Sequence, residues 1–437
     1  MGLRSDHAAP WDSQGRSCTC HGSQRRLEEE GAGLRLSTIT KDGDEDYTRI
    51  PCLAFADDVV LMAETAADMQ QLMNICTEEA SRDNFKFNAE KTQWLSFNTE
   101  GDQNFYLQNH VVKKTTSYKY LGVTITSDKD YLAQHERNIL AKSNQLKGAV
   151  WHLARHSYNK YSVGRILWKT LAVPAVTYAN DALTYSAAGI KGLDRHQYEL
   201  GRWLLGGSSC TANTAVTGEM GWSTHQNREA RSKLQYMGRL KFLPEKNYAR
   251  RMYYHIRYKG TRTNWIKKLK DIDTKYSGDT NRQQATTERE WARTIRKEVT
   301  QAGIQQWQRA IQRKQSLELY RRHKSEPAPY HRYRGDRASA LLFQARTGCL
   351  LTQSRKCELY GEDPTCRLCG EENETIEHVV NRCRSLEHTR KNSPTDSLER
   401  ALGLTDADDP DDGAQRETED TGRRLVMWER LCRNTKT

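Results

Sequence analysis

The chain has 437 residues, of which 36% are hydrophobic and 28% are charged, and its net charge is +12. This length allows about three domains, and a mean hydropathy of −0.89 confines the core to patches. No apolar run approaches the roughly 18 residues of a membrane span, no signal-peptide segment opens the chain, and the 11 cysteines are mostly scattered. The composition therefore predicts an intracellular protein of the nucleus and cytoplasm that is neither secreted nor membrane-spanning.

The first part of the chain is polar and irregular. Residues 1–26 contain Gly and Ser without periodicity, which predicts disorder. Cys18-Thr19-Cys20-His21 has no second ligand pair nearby, so we interpret it as chance. Gly31 to Leu36 and Thr48 to Phe55 are predicted strands flanking a polar turn at Lys41 to Asp46.

The heptapeptide Ala54-Phe55-Ala56-Asp57-Asp58-Val59-Val60 lies between short apolar, β-prone runs. This pattern predicts a buried hairpin with two acids at its tip. Two like charges about 4 Å apart repel by roughly 4 kcal/mol at a surface-like dielectric. A divalent cation relieves that repulsion, and oxygen ligands suit magnesium. The alternative is a surface β-turn, since Asp favours turns.

Three further patterns follow the acids in order. Met69, Leu72, Met73, Cys76 and Ala80 have the spacing of an amphipathic helix on a sheet. Asn88-Ala89-Glu90-Lys91-Thr92 then leads into an apolar strand, Trp94 to Phe97. Tyr118 to Thr126, with Gly122 inside it, is typical of a glycine-marked strand.

Together, F-A-D-D, N-x-x-K-T and Y-L-G-x-x-I resemble the second half of the reverse transcriptase palm of non-LTR (LINE-like) retrotransposons. The resemblance implies an α+β fold and RNA-templated DNA synthesis on a DNA primer. By position, it makes Asp57 the main magnesium ligand and Asp58 its neighbour. Lys91 matches the motif D lysine, a proton donor to pyrophosphate, and Tyr120 and Gly122 fall near the primer grip.

Other parts of that family's pattern are missing. In the family, a motif A aspartate on a strand and a Gly-rich motif B precede the F-A-D-D hairpin. Only 56 residues precede Asp57, and neither Asp6 nor Asp12 has an apolar strand around it. No endonuclease pattern is found. We therefore expect a C-terminal polymerase fragment, similar to the family over roughly residues 27–390 and inactive alone.

From Tyr131 onward the patterns are helical. Ile139, Leu146, Val150 and Leu153 form one predicted core stripe. A second contains Val163, Ile166, Leu167 and Leu171 and ends near Pro174. After a palm, such helices resemble a thumb, so we assign residues 27–127 to the partial palm and 128–245 to a thumb-like region.

The net charge is concentrated in one stretch. From Arg228 to Lys270 there are 14 lysines and arginines but only two glutamates, a local charge of +12, with aromatic side chains interleaved. This composition favours a nucleic-acid surface, for which we single out Arg250, Arg251, Lys267 and Lys268. The alternative is a solvated helical face with core aromatics.

The basic helical region and a linker together occupy residues 246–335. Within 281–325, an apolar face is predicted at the positions Trp291, Ile295, Ile304, Trp307 and Ile311. The following basic, Pro-containing segment, Arg321 to Arg337, is interpreted as the linker.

A zinc element is predicted at 336–390. Cys366-x2-Cys369-x8-His378-x4-Cys383 has the ligand types and spacing of a structural zinc site, with Gly370 in the turn and His378 on a helix. Cys357 is a weaker fifth candidate, and chance clustering is the alternative.

The last segment, 391–437, is predicted to be an acidic tail containing Asp406, Asp408, Asp409, Asp411 and Asp412, with one short helix from Arg423 to Cys432. Two other functions remain open for the whole chain. One is a non-enzymatic nucleic-acid-binding zinc protein derived from a transposon, and the other is a decayed reading frame.

Overall fold

A computed structural model describes residues 2–4, 32–39, 45–98, 102–258, 263–277, 282–389, 397–405 and 412–434. The chain divides into two compact units, and each is assembled from three stretches of sequence. Unit 1 contains Met1–Asn138, Ala179–Tyr185 and Ser232–Arg293. Unit 2 contains Ile139–Tyr178, Ser186–Arg231 and Thr294–Thr437. The domain boundaries predicted above stay predictions.

The strands belong to unit 1. They are β1 (Gly2–Arg4), β2 (Leu34–Ile39), β3 (Glu45–Ile50), β4 (Cys52–Phe55), β5 (Asp58–Leu61), β6 (Gln93–Trp94), β7 (Phe105–Leu107), β8 (His110–Lys114), β9 (Ser117–Tyr120) and β10 (Val123–Thr126). Six of them form one sheet in the order β4-β5-β1-β6-β8-β7, in which the β6–β8 pair is parallel. The pairs β2–β3 and β9–β10 are separate antiparallel hairpins.

The helices of the described residues are α1 (Ala66–Arg82), α2 (Ala133–Arg155), α3 (Lys160–Leu167), α4 (Val173–Val176), α5 (Ala187–Leu205), α6 (Asn213–Met220), α7 (His225–Phe242), α8 (Tyr248–Tyr258), α9 (Asn264–Tyr276), α10 (Glu288–Gln312), α11 (Glu318–His323), α12 (Arg337–Arg346), α13 (Gln353–Tyr360), α14 (Leu398–Ala401) and α15 (Asp412–Asn434). Wider, five-residue turns lie at Trp168–Ala172 and His378–Arg382. With its small sheets, the chain is α+β, as predicted. Among the described residues, no helix is long and apolar enough to cross a membrane.

Helix α1 forms the core of unit 1 with the six-stranded sheet. Its first turn is capped by Thr65, whose hydroxyl accepts the Asp68 N–H at 3.1 Å. Leu72, Met73, Cys76 and Ala80 are buried with strand residues of the sheet, while Met69 is partly buried against them. The predicted amphipathic helix is therefore confirmed.

Unit 2 has a larger, mainly helical core. It includes the Trp168, Trp307 and Phe343 rings together with Val150 and Leu204. The apolar face predicted in 281–325 is largely confirmed, since Trp291, Ile295, Trp307 and Ile311 are buried and Ile304 is half-buried. Trp291 contributes to unit 1 and the other three to unit 2.

The two predicted stripes in 139–171 are only partly correct. Ile139 and Val150 are buried, but Leu153 is 53% exposed. In the second stripe, Ile166 and Leu171 are exposed. Tyr161, Gly164, Trp168 and Ala172 are buried in their place. The helical path does end near Pro174, as predicted: this proline lies in the first turn of α4, where a missing N–H is tolerated, and α4 ends at Val176.

The predicted linker and tail are more ordered than expected. Within 321–337, Tyr333 is buried in the core of unit 2 and stacks edge-on against Tyr161. The short C-terminal helix is the 23-residue α15, which packs against α12. Of the N-terminus predicted to be disordered, Gly2–Arg4 form β1, whereas Cys18, Cys20 and His21 lie outside the described residues. The acidic run 406–411 also lies outside them.

Two helical glycines of unit 2 provide a matched test of packing. A Cβ at Gly148 meets nothing within 4 Å, whereas one at Gly164 would lie 2.2 Å from the buried Leu204 Cδ2. We expect Gly148→Ala to stabilise unit 2 by roughly 0.5–1 kcal/mol through reduced backbone entropy of the unfolded chain. Gly164→Ala should destabilise it by about 1–3 kcal/mol through overpacking. Calorimetric melting of the two variants checks the signs, and equal shifts would contradict this packing.

Candidate functional site

The acid pair lies on the β4–β5 hairpin. Phe55 pairs with Asp58, so the turn contains only Ala56 and Asp57. Ala56 has a φ of +53°, as the first turn residue of a type I′ or II′ hairpin requires. Asp57 is exposed at the tip and Asp58 is half-buried, so the predicted hairpin with acids at its tip is confirmed.

The hairpin is buried on one face only, contrary to the prediction. Cys52, Val59 and Leu61 enter the core of unit 1, while Phe55 is 62% exposed. Burial alternates along β5, where Val59 and Leu61 are covered, whereas in the edge strand β4 only Cys52 is buried and the three residues leading to the tip are exposed. The outer face next to the acids is therefore accessible.

Tyr118 to Thr126 forms the hairpin β9–β10 instead of one strand. The turn residues Leu121 and Gly122 have φ values of +44° and +84°, the positive pair that a two-residue type I′ turn needs. Burial raises the pKa of Tyr120, and the nearby Asp58 carboxylate and Tyr118 raise it further. The Tyr120 phenol therefore lies within electrostatic range of one acid of the F-A-D-D hairpin.

Lys91 lies in a capped turn between α1 and β6. The Asn88 side chain accepts the Lys91 backbone N–H at 3.0 Å, and the Thr92 hydroxyl donates to the Asn88 carbonyl at 2.8 Å. Thr92 is buried by this arrangement, whereas Lys91 is exposed. The N-x-x-K-T pattern thus has a local structural role that leaves the lysine ammonium in solvent.

The 228–270 stretch is not one uniform basic surface. Lys233 is fully buried in unit 1 and donates to the Asn180 and Leu183 carbonyls. In unit 2, Arg228 donates to the Gln197 side chain at 2.8 Å. Arg250 donates to the Lys241 and Leu243 carbonyls at the end of α7. These cations satisfy backbone or buried groups, a role that a charge count could not reveal.

Other cations of this stretch face solvent. Lys246, Lys267 and Lys270 are exposed, while Arg251 and Lys268 are half-buried. On α8, Tyr254 and Tyr258 stack in parallel at 5.7 Å, with the Arg250 guanidinium over the Tyr254 ring at 5.5 Å. Lys259 and Arg262 lie outside the described residues.

The four predicted zinc ligands converge in unit 2. The ligand atoms of Cys366, Cys369, His378 and Cys383 all lie within 4.8 Å of one another. Cys366 Sγ is 4.0 Å from Cys383 Sγ, and Cys369 Sγ is 3.4 Å from His378 Nε2. A tetrahedral zinc ion has edges of about 3.8 Å between sulfurs and about 3.6 Å from sulfur to nitrogen. The cluster therefore fits a tetrahedral metal ion.

The surrounding groups orient these ligands. Glu372 Oε2 lies 3.0 Å from His378 Nδ1, which fixes the ring with Nε2 toward the sulfurs. Burial raises the pKa of Cys366 to about 12, while the backbone N–H groups of Cys369 and Leu368 oppose that shift. Gly370, with a φ of +69°, lets its N–H reach the Cys366 carbonyl at 2.9 Å. The cluster is thus a preorganised, largely buried site in which a bound cation would offset the cost of ionising the thiols.

Outside this cluster, the potential metal-ligating side chains of the described residues are not grouped in this way. Among the described residues, this Cys-Cys-His-Cys set is the one group of three or more His, Cys, Asp or Glu residues close enough to hold an ion. Asp57 and Asp58 therefore have no third described ligand of this kind beside them, and Cys357 is not part of the cluster.

Comparison with known proteins identifies one part of the chain. Residues 32–125 match the family model of the reverse transcriptase (RNA-dependent DNA polymerase). The matched stretch runs from just before β2 to the penultimate residue of β10, so it contains the β2–β3, β4–β5 and β9–β10 hairpins and the Lys91 turn. Among curated proteins, none matches the chain. The chain thus contains a reverse transcriptase-related segment, whose family uses nucleic acid substrates and divalent metals.

The cluster geometry predicts one high-affinity metal site per chain. Titration of reduced apoprotein with Co²⁺ should produce thiolate-to-metal absorption that saturates at one equivalent. Cys369→Ser should abolish that saturation because it removes a ligand, and Glu372→Gln should weaken affinity by about 10–100-fold. Cys357→Ser is the matched control and should bind normally. Unchanged Co²⁺ binding by Cys369→Ser would contradict the assignment.

Proposed function

We propose that residues 32–125 form part of the polymerase palm of a non-LTR retrotransposon reverse transcriptase. The observation that supports this most is the family match over residues 32–125, in which the Asp58 carboxylate lies near enough to the Tyr120 phenol to raise its pKa. In this proposal Asp57 and Asp58 bind Mg²⁺, which stabilises the transferred phosphoryl group. Lys91 donates a proton to the leaving pyrophosphate, and Tyr120 and Gly122 hold the primer strand.

We also propose that this chain does not polymerise DNA by itself. Two-metal transfer needs carboxylates on both sides of the reacting phosphate. The described residues supply Asp57 and Asp58 on one hairpin, with no third metal-type ligand joined to them. Two acids on one tip bind magnesium weakly, because they cannot surround the ion.

The test is primer extension on an RNA template with Mg²⁺, using the chain alone. We expect background incorporation, since loss of an essential metal ligand removes most of the rate enhancement. If extension occurs, Asp57→Ala should be compared with Asp83→Ala, which removes an exposed acid at the end of α1. Extension that is lost only in Asp57→Ala would overturn the proposed inactivity and support the proposed site.

For the Cys-Cys-His-Cys cluster, we propose a structural zinc ion. Three thiolates and one imidazole complete a tetrahedron and leave no open position for a substrate. Binding of such an ion is coupled to local folding, so the zinc would hold the 366–383 segment against the core of unit 2. Metal analysis of purified, reduced protein should find one zinc per chain, and its absence would refute this identity.

We further propose that the solvent-facing cations of 228–270 bind nucleic acid through phosphates. The support is that unit 1 has both the exposed lysines of this stretch and the Arg250–Tyr254–Tyr258 stack on α8. This surface would serve template or target binding in a retrotransposon protein. It would equally serve a non-enzymatic nucleic-acid-binding protein, and the extension assay separates the two functions.

Charge removal at this surface gives a quantitative prediction. Replacing Lys246, Lys267 and Lys270 by Gln should reduce the steepness of the log Kd against log salt plot for duplex DNA by up to about 2.7, at about 0.9 per phosphate. Arg309→Gln, Arg313→Gln and Lys314→Gln together form the control, since these exposed unit 2 residues carry the same total charge. An equal change in both triple variants would mean that only net charge matters.

A further inference from the structure

One 40-residue stretch of unit 2, Ile139–Tyr178, contains no aspartate or glutamate. It carries six lysines and arginines and two histidines, and it comprises most of α2 with α3 and α4. Lys147 pairs with Glu199 at 2.6 Å, and Asp336 lies near Lys160. None of the other five cations forms an ion pair with a described residue, and Lys142, Arg155 and Lys169 among them are exposed, so this stretch of unit 2 presents positive charge to solvent.

An aromatic pair lies at the corner where α2 ends. The rings of Trp151 on α2 and Trp203 on α5 are 5.6 Å apart. The Arg155 guanidinium lies 5.2 Å from the Trp151 ring centre, and the Lys160 ammonium lies 5.2 Å from that of Trp203. Each indole therefore has a cation beside it; Arg155 is exposed, whereas Lys160 is half-buried.

The corner is open to solvent. Trp151 is 37% exposed and Tyr158, in the turn after α2, is 95% exposed. One turn before Trp151, the exposed Gly148 leaves the helix surface clear, since a Cβ there would meet nothing within 4 Å. Trp151 and Tyr158 therefore both present ring surface to solvent, and such a surface is available to a stacking ligand.

We propose that this corner binds single-stranded nucleic acid, with a base stacked on Trp151 and phosphates held by Arg155 and Lys160. The inference rests on the nucleic-acid binding proposed above and adds a second site with a different ligand preference. Arg155 is exposed and has no ion-pair partner among the described residues, so it suits a polyanion, while the exposed Trp151 indole suits a free base face. Bases inside a duplex are already stacked on each other, so the single strand is the form that can use Trp151.

The test measures binding of the full chain to a 12-nucleotide oligo(U) and to a 12-base-pair duplex. Trp151→Ala should weaken oligo(U) binding about tenfold, at the lower end of the usual stacking contribution, and duplex binding less than twofold. Because stacking releases no counterions, the salt slope should stay unchanged. Trp151→Phe keeps a ring and should retain most of the wild-type affinity for oligo(U). An unchanged melting temperature of Trp151→Ala shows that its weaker binding is not caused by misfolding.

Leu171→Ala is the control, because Leu171, 51% exposed against 37% for Trp151, lies in the same acid-free stretch but offers no ring. An equal loss with Leu171→Ala, or an equal loss on duplex, would overturn the proposal. The proposal would also be overturned if Trp151→Ala weakened binding to vesicles of anionic lipid but left oligo(U) binding unchanged. The Lys246, Lys267 and Lys270 replacements test the 228–270 proposal independently. If they leave the salt dependence of duplex binding unchanged while Trp151→Ala weakens oligo(U) binding, nucleic-acid binding by 228–270 is refuted and the proposal for the Trp151 corner is supported.

Discussion

The structure of unit 2 depends on one buried ion pair. Glu219 at the end of α6 is fully buried, and its carboxylate lies 3.3 Å from the Arg346 guanidinium at the end of α12. Burial alone would raise the pKa of Glu219, but Arg346 and Lys324 lower it below its usual value, so the acid stays ionised. Removing one partner of such a pair typically destabilises a protein by about 3–5 kcal/mol, because the other charge is left buried.

This pair also organises the chain around it. Arg346 donates to the Leu402 and Gly403 carbonyls at 2.7 Å each, which connects α12 to the α14 turn. The Glu219 carbonyl accepts from the Tyr161 hydroxyl at 2.8 Å and from the Tyr330 N–H. The segment expected to be a linker is therefore held in place by charge and hydrogen bonds. Its Pro and Arg content concealed this, because composition reports polarity and not partners.

The features that the sequence predicted correctly are those formed by residues close together in the chain. The Cys-Cys-His-Cys cluster is complete within eighteen residues, so its spacing alone predicted which four side chains the structure brings together. The acid hairpin and α1 were likewise predicted by short-range periodicity. The prediction of the second core stripe, in contrast, chose the wrong face of the helix. The buried face, Tyr161, Gly164, Trp168 and Ala172, also has helical spacing, but two of its residues are small, so the stripe of larger aliphatic side chains beside it looked like the core face.

The basic stretch shows the limit of counting charges. Lys233 and Lys270 contribute equally to the net charge, yet the first is a fully buried donor to two carbonyls and the second is exposed. Only the packing around Asn180 and Leu183, some fifty residues earlier, distinguishes them. The same holds for the F-A-D-D acids, whose neighbour Tyr120 is sixty residues later and is brought close by a separate hairpin.

The interleaving of the two units has a consequence for synthesis on the ribosome. Chains fold as they emerge, N-terminal parts first, and the reverse transcriptase-related segment is finished at residue 125. Unit 1, however, also requires residues 232–293, including α8, which packs against β2. Well over a hundred residues must therefore be added before that unit has all of its parts, and β2 stays uncovered meanwhile. A nascent chain with an early sheet and a late covering helix is one for which chaperone access matters during translation.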